Sequence, residues 1–292
     1  LASTLPNTQI IYGEICPETL QHILRGDANQ SPFDAVLLIA PECDGVLVSL
    51  LKAVQEQTMM QIRSLNLNWR LTEIFADKRA TDSWLRQNHI ATIPTKTIDH
   101  ATAETLHSRI VSMSDSTSDL YAVLKPRDGA GSDGVQIVPF DRDAFQKFPQ
   151  QLSDDDQWLL QPFLQGVACS VGFIGGGPHG HTTILPPAGQ NIVTSGARLS
   201  YHGGQIPCEP EIAARIAPIA EQLAHALGPF NGYVGADLLV DLSVSADSEA
   251  SVRVVEVNPR LCTSYLGYRM LSVDNLATWI LQQNAGQEIR WK

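Results

Sequence analysis

Apolar residues recur along this chain with two periods, and the switches between those periods mark out its elements. Gln9 to Tyr12 is a short apolar strand ahead of Gly13, and Pro17 opens a helix with Leu20, Ile23 and Leu24 on one face. Ala35 to Ala40 is an unbroken apolar run, the pattern of a strand buried on both faces. After Pro-Glu-Cys-Asp-Gly comes a helix with Val46, Leu47, Leu50, Leu51 and Val54 apolar. Strand, helix, strand, helix predicts a small α/β domain with a parallel sheet. Its first turn has no Gly-x-Gly-x-x-Gly, so it is not read as a nucleotide site.

Asp77 is the expected N-cap of a helix over Lys78 to Asn88, and His89 to Thr95 leaves it in extended form. A helical stretch is expected near Ala103 to Val111, then a polar loop from Met113 to Asp119. Tyr121 to Lys125 and Val135 to Val138 read as two strands of a hairpin with a long glycine-rich tip. Asp141 to Phe148 reads as a helix and Asp154 to Asp156 as a solvated acidic turn.

Trp158 to Gln161 and Val167 to Ile174 are predicted strands, with a glycine turn at Gly175 to Gly180 that continues as a strand beyond Pro178. Leu185 to Arg198 reads as a loop, followed by Tyr-His-Gly-Gly. Glu211 to Leu227 is a helix with Ile212, Ile216, Ile219, Leu223 and Leu227 inward, a kink expected at Pro218 and Gly228 past its end. Two strands, Gly235 to Leu242 and Val252 to Asn258, flank a polar loop, and Leu276 to Gln283 is the last helix.

Charge narrows the partners. With 20 basic and 31 acidic side chains the net charge is −11, which argues against nucleic acid or an anionic membrane as the main partner. A phosphorylated ligand stays open, because local lysines and arginines decide that. The five cysteines are scattered without a Cys-x-x-Cys pair, which points to reduced packing thiols in a cytoplasm. No apolar run reaches membrane-spanning length, and no basic, apolar leader pattern opens the chain.

Chemistry concentrates at two strand ends. In Val-Val-Glu-Val-Asn-Pro-Arg, Val254 to Arg260, the side chains of Glu256 and Asn258 are two apart and share a face before Pro259 stops the strand. They are hard oxygen donors of the kind Mg²⁺ takes. A solvated edge strand is the bland alternative. Asp237 lies in an apolar strand one hairpin earlier, where a carboxylate is costly unless paired or metal-bound. The second strand end is Lys125, followed by Pro-Arg-Asp-Gly-Ala-Gly-Ser-Asp-Gly134. Glycines there let backbone N–H groups approach phosphate oxygens. Gly129 to Gly134 fits the Gly-x-x-x-x-Gly frame, but Val135-Gln136 replaces Lys-Ser/Thr and a strand follows, so this is not a P-loop. Gly175 to Gly180 formally matches Gly-x-Gly-x-x-Gly without a following helix, and is read as a hairpin turn. His179 and His181 lack a matching third ligand for zinc.

Asp77-Lys78, Lys125 with its glycine loop, Trp158-Leu-Leu-Gln-Pro-Phe-Leu-Gln-Gly166, Asp237 and Glu256-Val-Asn-Pro-Arg260 stand in that order. The set resembles the ATP-grasp superfamily of carboxylate–amine ligases. The resemblance implies mixed α/β and α+β architecture. A parallel α/β domain over 1–76 would precede a grasp fold whose two subdomains, 77–166 and 167–292, sandwich ATP. It implies that Lys78 and Lys125 hold ATP phosphates and that the loop with Gly129, Gly131, Ser132 and Gly134 closes over them. Gln161, Pro162, Phe163 and Leu164 would form the adenine hinge. Asp237, Glu256 and Asn258 would hold Mg²⁺ or Mn²⁺, and Arg260 would face the reacting phosphoryl group. Arg198 and Arg269 are candidates for gripping substrate carboxylates. One departure is that Val167, Ala168 and Cys169 stand where the family often places an acid for the ribose.

Asn258 to Arg269, with Thr263, Ser264, Tyr265 and Gly267, is similar to the tyramine–glutamate ligase group of methanofuran biosynthesis. The expected activity joins a carboxylate such as that of glutamate to an amine through an acyl phosphate. Small-molecule partners follow from that, and a homodimer is compatible with it. The alternatives are a catalytically inactive nucleotide-binding regulator and a kinase releasing a phosphorylated product.

Overall fold

The structure is a computed structural model, and it describes residues 15–25, 33–56, 62–98, 121–129, 134–139, 158–196, 198–287, 289 and 291. The expected strand at Gln9 to Tyr12, the helices near Ala103 to Val111 and Asp141 to Phe148, and the turns at Met113 to Asp119 and Asp154 to Asp156 lie outside those residues.

The N-terminal unit contains helices α1 (Pro17–Arg25) and α2 (Val46–Glu56) with a parallel strand pair, β1 (Ala35–Val36) and β2 (Arg63–Ser64). Leu20, Leu24, Leu50 and Val54 form its small core. The run Ala35 to Ala40 is less strand-like than its sequence suggests. Val36, Leu38 and Ala40 lean on that core while Ala35 and Leu37 face a second cluster. Ile39 projects past both and is 69% exposed. Beyond Val36 the neighbouring pairing is supplied by a side chain: Asn66 accepts from Leu38 N and donates to Leu38 O, both at 2.8 Å.

Two helices lead into the large sheet. The first is α3 (Trp69–Ala76), which the apolar pattern did not announce and which Asn68 caps through Leu71 N. The second is α4 (Lys78–Gln87), capped by Asp77 as expected. Among the described residues, ten strands form one sheet: β3 (Lys96–Ile98), β4 (Tyr121–Pro126), β5 (Gln136–Pro139), β6 (Trp158–Pro162), β7 (Val167–Gly176), β8 (Thr183–Ile184), β9 (Ala188–Ser195), β10 (Arg198–Gln205), β11 (Asn231–Val240) and β12 (Val252–Asn258). The spatial order is β12-β11-β7-β9-β10-β5-β4-β6-β3, with β8 beside β7, and its pairings are antiparallel.

Leu185 to Arg198 is therefore not a loop. It carries most of β9 and leads into β10, a hairpin whose side chains are largely exposed. Backbone pairing, not burial, holds it, so it has no apolar alternation to betray it. The strand expected beyond Pro178 is confined to Thr183–Ile184, because Gly177–His179 turn as a short 3-10 helix.

Helix α5 (Pro210–Leu227) runs through Pro218 and presents Ile216, Ile219, Leu223 and Leu227 to one face of the sheet. Two further helices, α6 (Ser264–Leu271) and α7 (Leu276–Asn284), cover the other face through Tyr268, Leu276, Trp279 and Ile280. The central strands β7 and β11 are thus buried on both sides, which fixes their register. Burying each large apolar side chain there contributes about 1.5–3 kcal/mol. The N-terminal unit docks where Asn231 Nδ2 donates to Ser64 O at 2.9 Å. Next to it Gly232 takes φ +82 with its Cα against the Leu65 backbone, an approach no side chain would permit.

Candidate active site

Lys125 comes first because the fold puts it in an expensive place. It lies on β4 opposite Leu159 of β6, with β5 on the other side, and is 5% exposed. Burial pushes its ammonium down to about 8; Glu256 opposes that shift and Lys78 adds to it. Lys78 is the first residue of α4. Its Nζ donates to Gly129 O and lies 3.8 Å from Glu256 Oε1, and its backbone N donates to Arg127 O at 3.2 Å. Asp77 joins the same corner, accepting from Arg79 N at 2.9 Å, Ala80 N at 3.1 Å and Arg127 Nε at 2.8 Å. The helix start is therefore bolted to the root of the glycine loop. Gly129 (φ +134) and Gly134 (φ +70) hold that loop's ends in left-handed conformations. Gly131 and Ser132 lie outside the described residues.

The expected hinge leaves β6. Gln161 is buried and its Nε2 donates to Thr95 Oγ1 at 2.8 Å. Pro162, Phe163 and Leu164 are half-buried, and Phe163 N donates to Tyr121 O at 2.9 Å. A small pocket joins this edge to Glu256, and Lys78, Asp82, Thr92, Thr95 and Gln161 line it as well.

The acidic end is built by β11 and β12. Asp237 stands opposite Glu256 and Gly235 opposite Asn258, but Leu238 pairs with Val254. Val255 is the extra residue, a β-bulge. Val252 and Val254 point into the α5 core before the bulge and Val257 after it. Glu256 and Asn258 consequently emerge on the face of Asp237. Asp237 Oδ2 accepts from Asn258 Nδ2 at 3.0 Å and its Oδ1 from Gln190 Nε2 at 2.8 Å. Burial, and after it Glu256, raise this carboxyl to about 6 against the opposing pull of the two hydrogen bonds and Arg260. Gln190 belongs to β9 and had no signal in the sequence, because its strand read as a loop.

The arginines divide. Arg260 pairs with Glu42 of the N-terminal unit through Nε and Nη2, the latter at 3.0 Å. Arg198 stands exposed at the start of β10 opposite Gln136, and Arg269 is exposed on α6. Among the described residues, no contact ties either to the lysines or the carboxylates. Val167 is half-buried and Cys169 fully buried; both pack into the α5 core. Thr263 is exposed, while Ser264, Tyr265 and Gly267 pack α6: Tyr265 meets the Tyr233 ring edge-on and Gly267 lies against Ile206.

A buried lysine, a second lysine at a glycine loop and two facing carboxylates form a corridor with one cationic and one anionic wall. The family model of the ATP-grasp domain matches residues 75–264, more than half of the chain. The chain belongs to the ATP-grasp family. Tyramine–L-glutamate ligase of Methanocaldococcus jannaschii is 24% identical over 138 residues, which is 47% of this ATP-grasp chain and 40% of that enzyme. The chain thus spans well under half of that curated relative in the matched region. The ADP complex of N5-carboxyaminoimidazole ribonucleotide synthetase superposes with a TM-score of 0.72 at 14% identity, covering 98% of this chain and 68% of that one. The biotin carboxylase domain of Hydrogenobacter thermophilus 2-oxoglutarate carboxylase, with MgADP and bicarbonate, gives 0.66 at 14% identity, covering 89% and 55%. These likenesses fix the ATP-grasp fold. Among the described residues, no helix is long and apolar enough to cross a membrane.

Proposed function

We propose that this ATP-grasp chain is an ATP-dependent ligase that joins a small-molecule carboxylate to an amine. The observation that carries the reading is the in-register facing of Asp237 and Glu256 across β11 and β12, with Lys78 Nζ 3.8 Å from Glu256. We divide the chain into a preceding α/β unit over 1–76, a first grasp subdomain with the lysine loop over 77–166 and a second with the carboxylates over 167–292.

The donor set fits a magnesium ion. Two carboxylates and an amide are hard oxygen ligands, and a carboxyl raised to about 6 beside a second acid lacks a positive neighbour strong enough to hold it in the usual carboxylate range. Asp237, Glu256 and Asn258 would hold the ion, which supplies charge neutralisation at the transferring phosphoryl group. Manganese has the same ligand preferences.

The chain's own residues do the rest. Lys125 and Lys78 place fixed positive charge against phosphate oxygens in a site that excludes water. Gly129 and Gly134 let the loop backbone approach the same oxygens, and Gly131 and Ser132 belong to that loop. Gln161 to Leu164 offer backbone groups and an apolar edge to the adenine. Arg260 faces the reacting end. A substrate carboxylate attacks the γ-phosphorus and ADP leaves; the amine then attacks the acyl carbon and phosphate leaves. Positioning and charge neutralisation carry both steps. Arg198 is our proposed grip for a substrate carboxylate outside the corridor. Glutamate and tyramine are the first acid and amine to try, since the relative's name specifies them.

The test is ADP release from MgATP over a matrix of amino acids and amines that includes glutamate and tyramine, with mass spectrometry for the amide. Acceptor-dependent ADP release with a matching amide supports the ligase. ATP binding without turnover by any acceptor points to a regulatory module, and a stable phosphorylated acid to a kinase.

A further inference from the structure

The family match begins at residue 75, yet the unit before it reaches into the site. Its contact is the turn between β1 and α2. Asp44 (φ 55) and Gly45 (φ 66) are both left-handed there, and Leu47 N closes the turn onto Pro41 O at 3.2 Å. The turn touches two parts of the corridor. Asp44 N donates to Asp128 Oδ2 at 2.9 Å, at the root of the glycine loop. Glu42 meets Arg260, 218 residues away.

Glu42 is placed for that meeting rather than for its own helix. It stands at the N-cap position of the short 3-10 turn, where an acid ordinarily accepts from first-turn N–H groups, and its side chain makes no capping bond. Both its oxygens go to Arg260 instead, Oε2 to Nε and Oε1 to Nη2. Glu42 is 3% exposed and the Arg260 side chain 23%. The third nitrogen, Nη1, donates to Leu261 O at 3.3 Å. One edge of the guanidinium is thus clamped bidentately, which sets the plane in which the remaining N–H groups can meet an anion.

We propose that Glu42 is a positioning residue for Arg260, so that the N-terminal unit completes the phosphoryl-transfer site of the grasp fold. This rests on the nucleotide reading above. A plain interdomain bolt would make the same ion pair, and the two roles separate in what they alter. A bolt affects stability and every ligand together. A positioning residue affects only the step that uses Arg260.

The experiment compares the full-length chain with Glu42→Gln, Glu42→Asp, Arg260→Lys and the double variant Glu42→Gln/Arg260→Lys. Calorimetry gives MgADP affinity, the coupled assay gives kcat and KM for ATP, and thermal melting reports the fold. Glu42→Gln is expected to lower kcat about tenfold or more while MgADP affinity stays within about twofold, because a misaimed group costs rate before it costs ground-state binding. Glu42→Asp, which keeps the charge, is expected to lose less. In the Arg260→Lys background Glu42→Gln is expected to cost nothing further. Unchanged kcat, a parallel fall in kcat and MgADP affinity, or full additivity in the double variant overturns the inference. Should Glu42→Gln not fold, the same split is read from Glu42→Asp. Absence of ATP binding by the unsubstituted chain overturns the nucleotide reading and this inference with it, whereas binding without a Glu42 effect overturns this inference alone.

Discussion

The two walls of the corridor are mirror images in charge and opposites in construction. Lys125 lies mid-sheet with no carboxylate in contact among the described residues, and burial drives its ammonium down to about 8. Asp237 lies in an equally buried strand with both oxygens hydrogen-bonded, and burial drives its carboxyl up to about 6. Each is shifted toward neutrality by the same desolvation, with opposite sign. The contact across the corridor is made by Lys78 and Glu256, 3.8 Å apart, while Asp237 acts on Lys125 only as a weaker influence than Glu256. Such a gap asks for a ligand that is itself of mixed charge, negative toward the lysines and positive toward the acids. MgATP has that distribution. The constructions differ because the acidic wall is fixed by strand register and amide partners, while the basic wall depends on a helix start bolted to a glycine loop.

The largest effect should come from removing a charge from either wall. Lys125→Ala or Glu256→Gln is expected to lower ADP release on the order of 10³-fold with the melting transition retained; near-parental turnover in either purified variant would sink the site assignment. Asp237→Asn tests the acidic wall alone. It should raise the Mg²⁺ concentration for half-maximal activity roughly tenfold or more. Without metal or nucleotide it should melt no lower than the parent, since a buried charge is gone; a lower melt would show that the charge is already compensated.

Titration tests the basic wall. Unliganded Lys125 loses its proton as pH rises through about 8. Phosphate favours the charged form, so bound Lys125 titrates higher. MgADP affinity should therefore fall between pH 7 and pH 9, by about tenfold at most, with proton uptake on binding. The pH dependence should disappear in Lys125→Met, and its persistence there would assign it elsewhere. The smallest effect is structural. Asp77→Ala removes the α4 cap and the Arg127 contact and should cost about 1–2 kcal/mol. The hydrogen bond from Arg127 and those from the helix N–H groups hold the Asp77 carboxyl below its usual range, although its burial acts the other way. Its contribution is thus present at neutral pH and fades as pH falls below about 4. Denaturant melts at pH 7 and pH 3 should show the gap closing.

Much of this was legible in the sequence where burial or capping leaves a pattern. The α4 cap at Asp77, the β4–β5 hairpin around Lys125, helix α5 and the pairing of β11 with β12 all follow from apolar period and turn residues. Elements without that pattern stayed hidden. The hairpin β9–β10 faces solvent along most of its length, so it reads as loop, and Gln190 went with it. Helix α6 is short and exposes Leu266, Met270 and Leu271, so no inward stripe marks it. The Glu42–Arg260 pair spans 218 residues, and nothing local in Pro-Glu-Cys-Asp-Gly indicates a partner so distant.

The doubled valine at Val254-Val255 carries a last consequence, one of chain length. The bulge converts an in-out count that would send Glu256 and Asn258 among Val234, Ala236 and Leu238 into one that sends them outward. Position 255 itself has no partner on β11, so the register does not depend on which residue stands there. Another β-branched residue at position 255 keeps the count. Deleting Val255 alone restores regular pairing with Val254 still opposite Leu238 and Glu256 still opposite Asp237, so Glu256 and Asn258 keep their outward face and only the local kink is lost. Natural variation in this strand should therefore tolerate both exchange and a gap at position 255, while Glu256 and Asn258 keep their spacing of two.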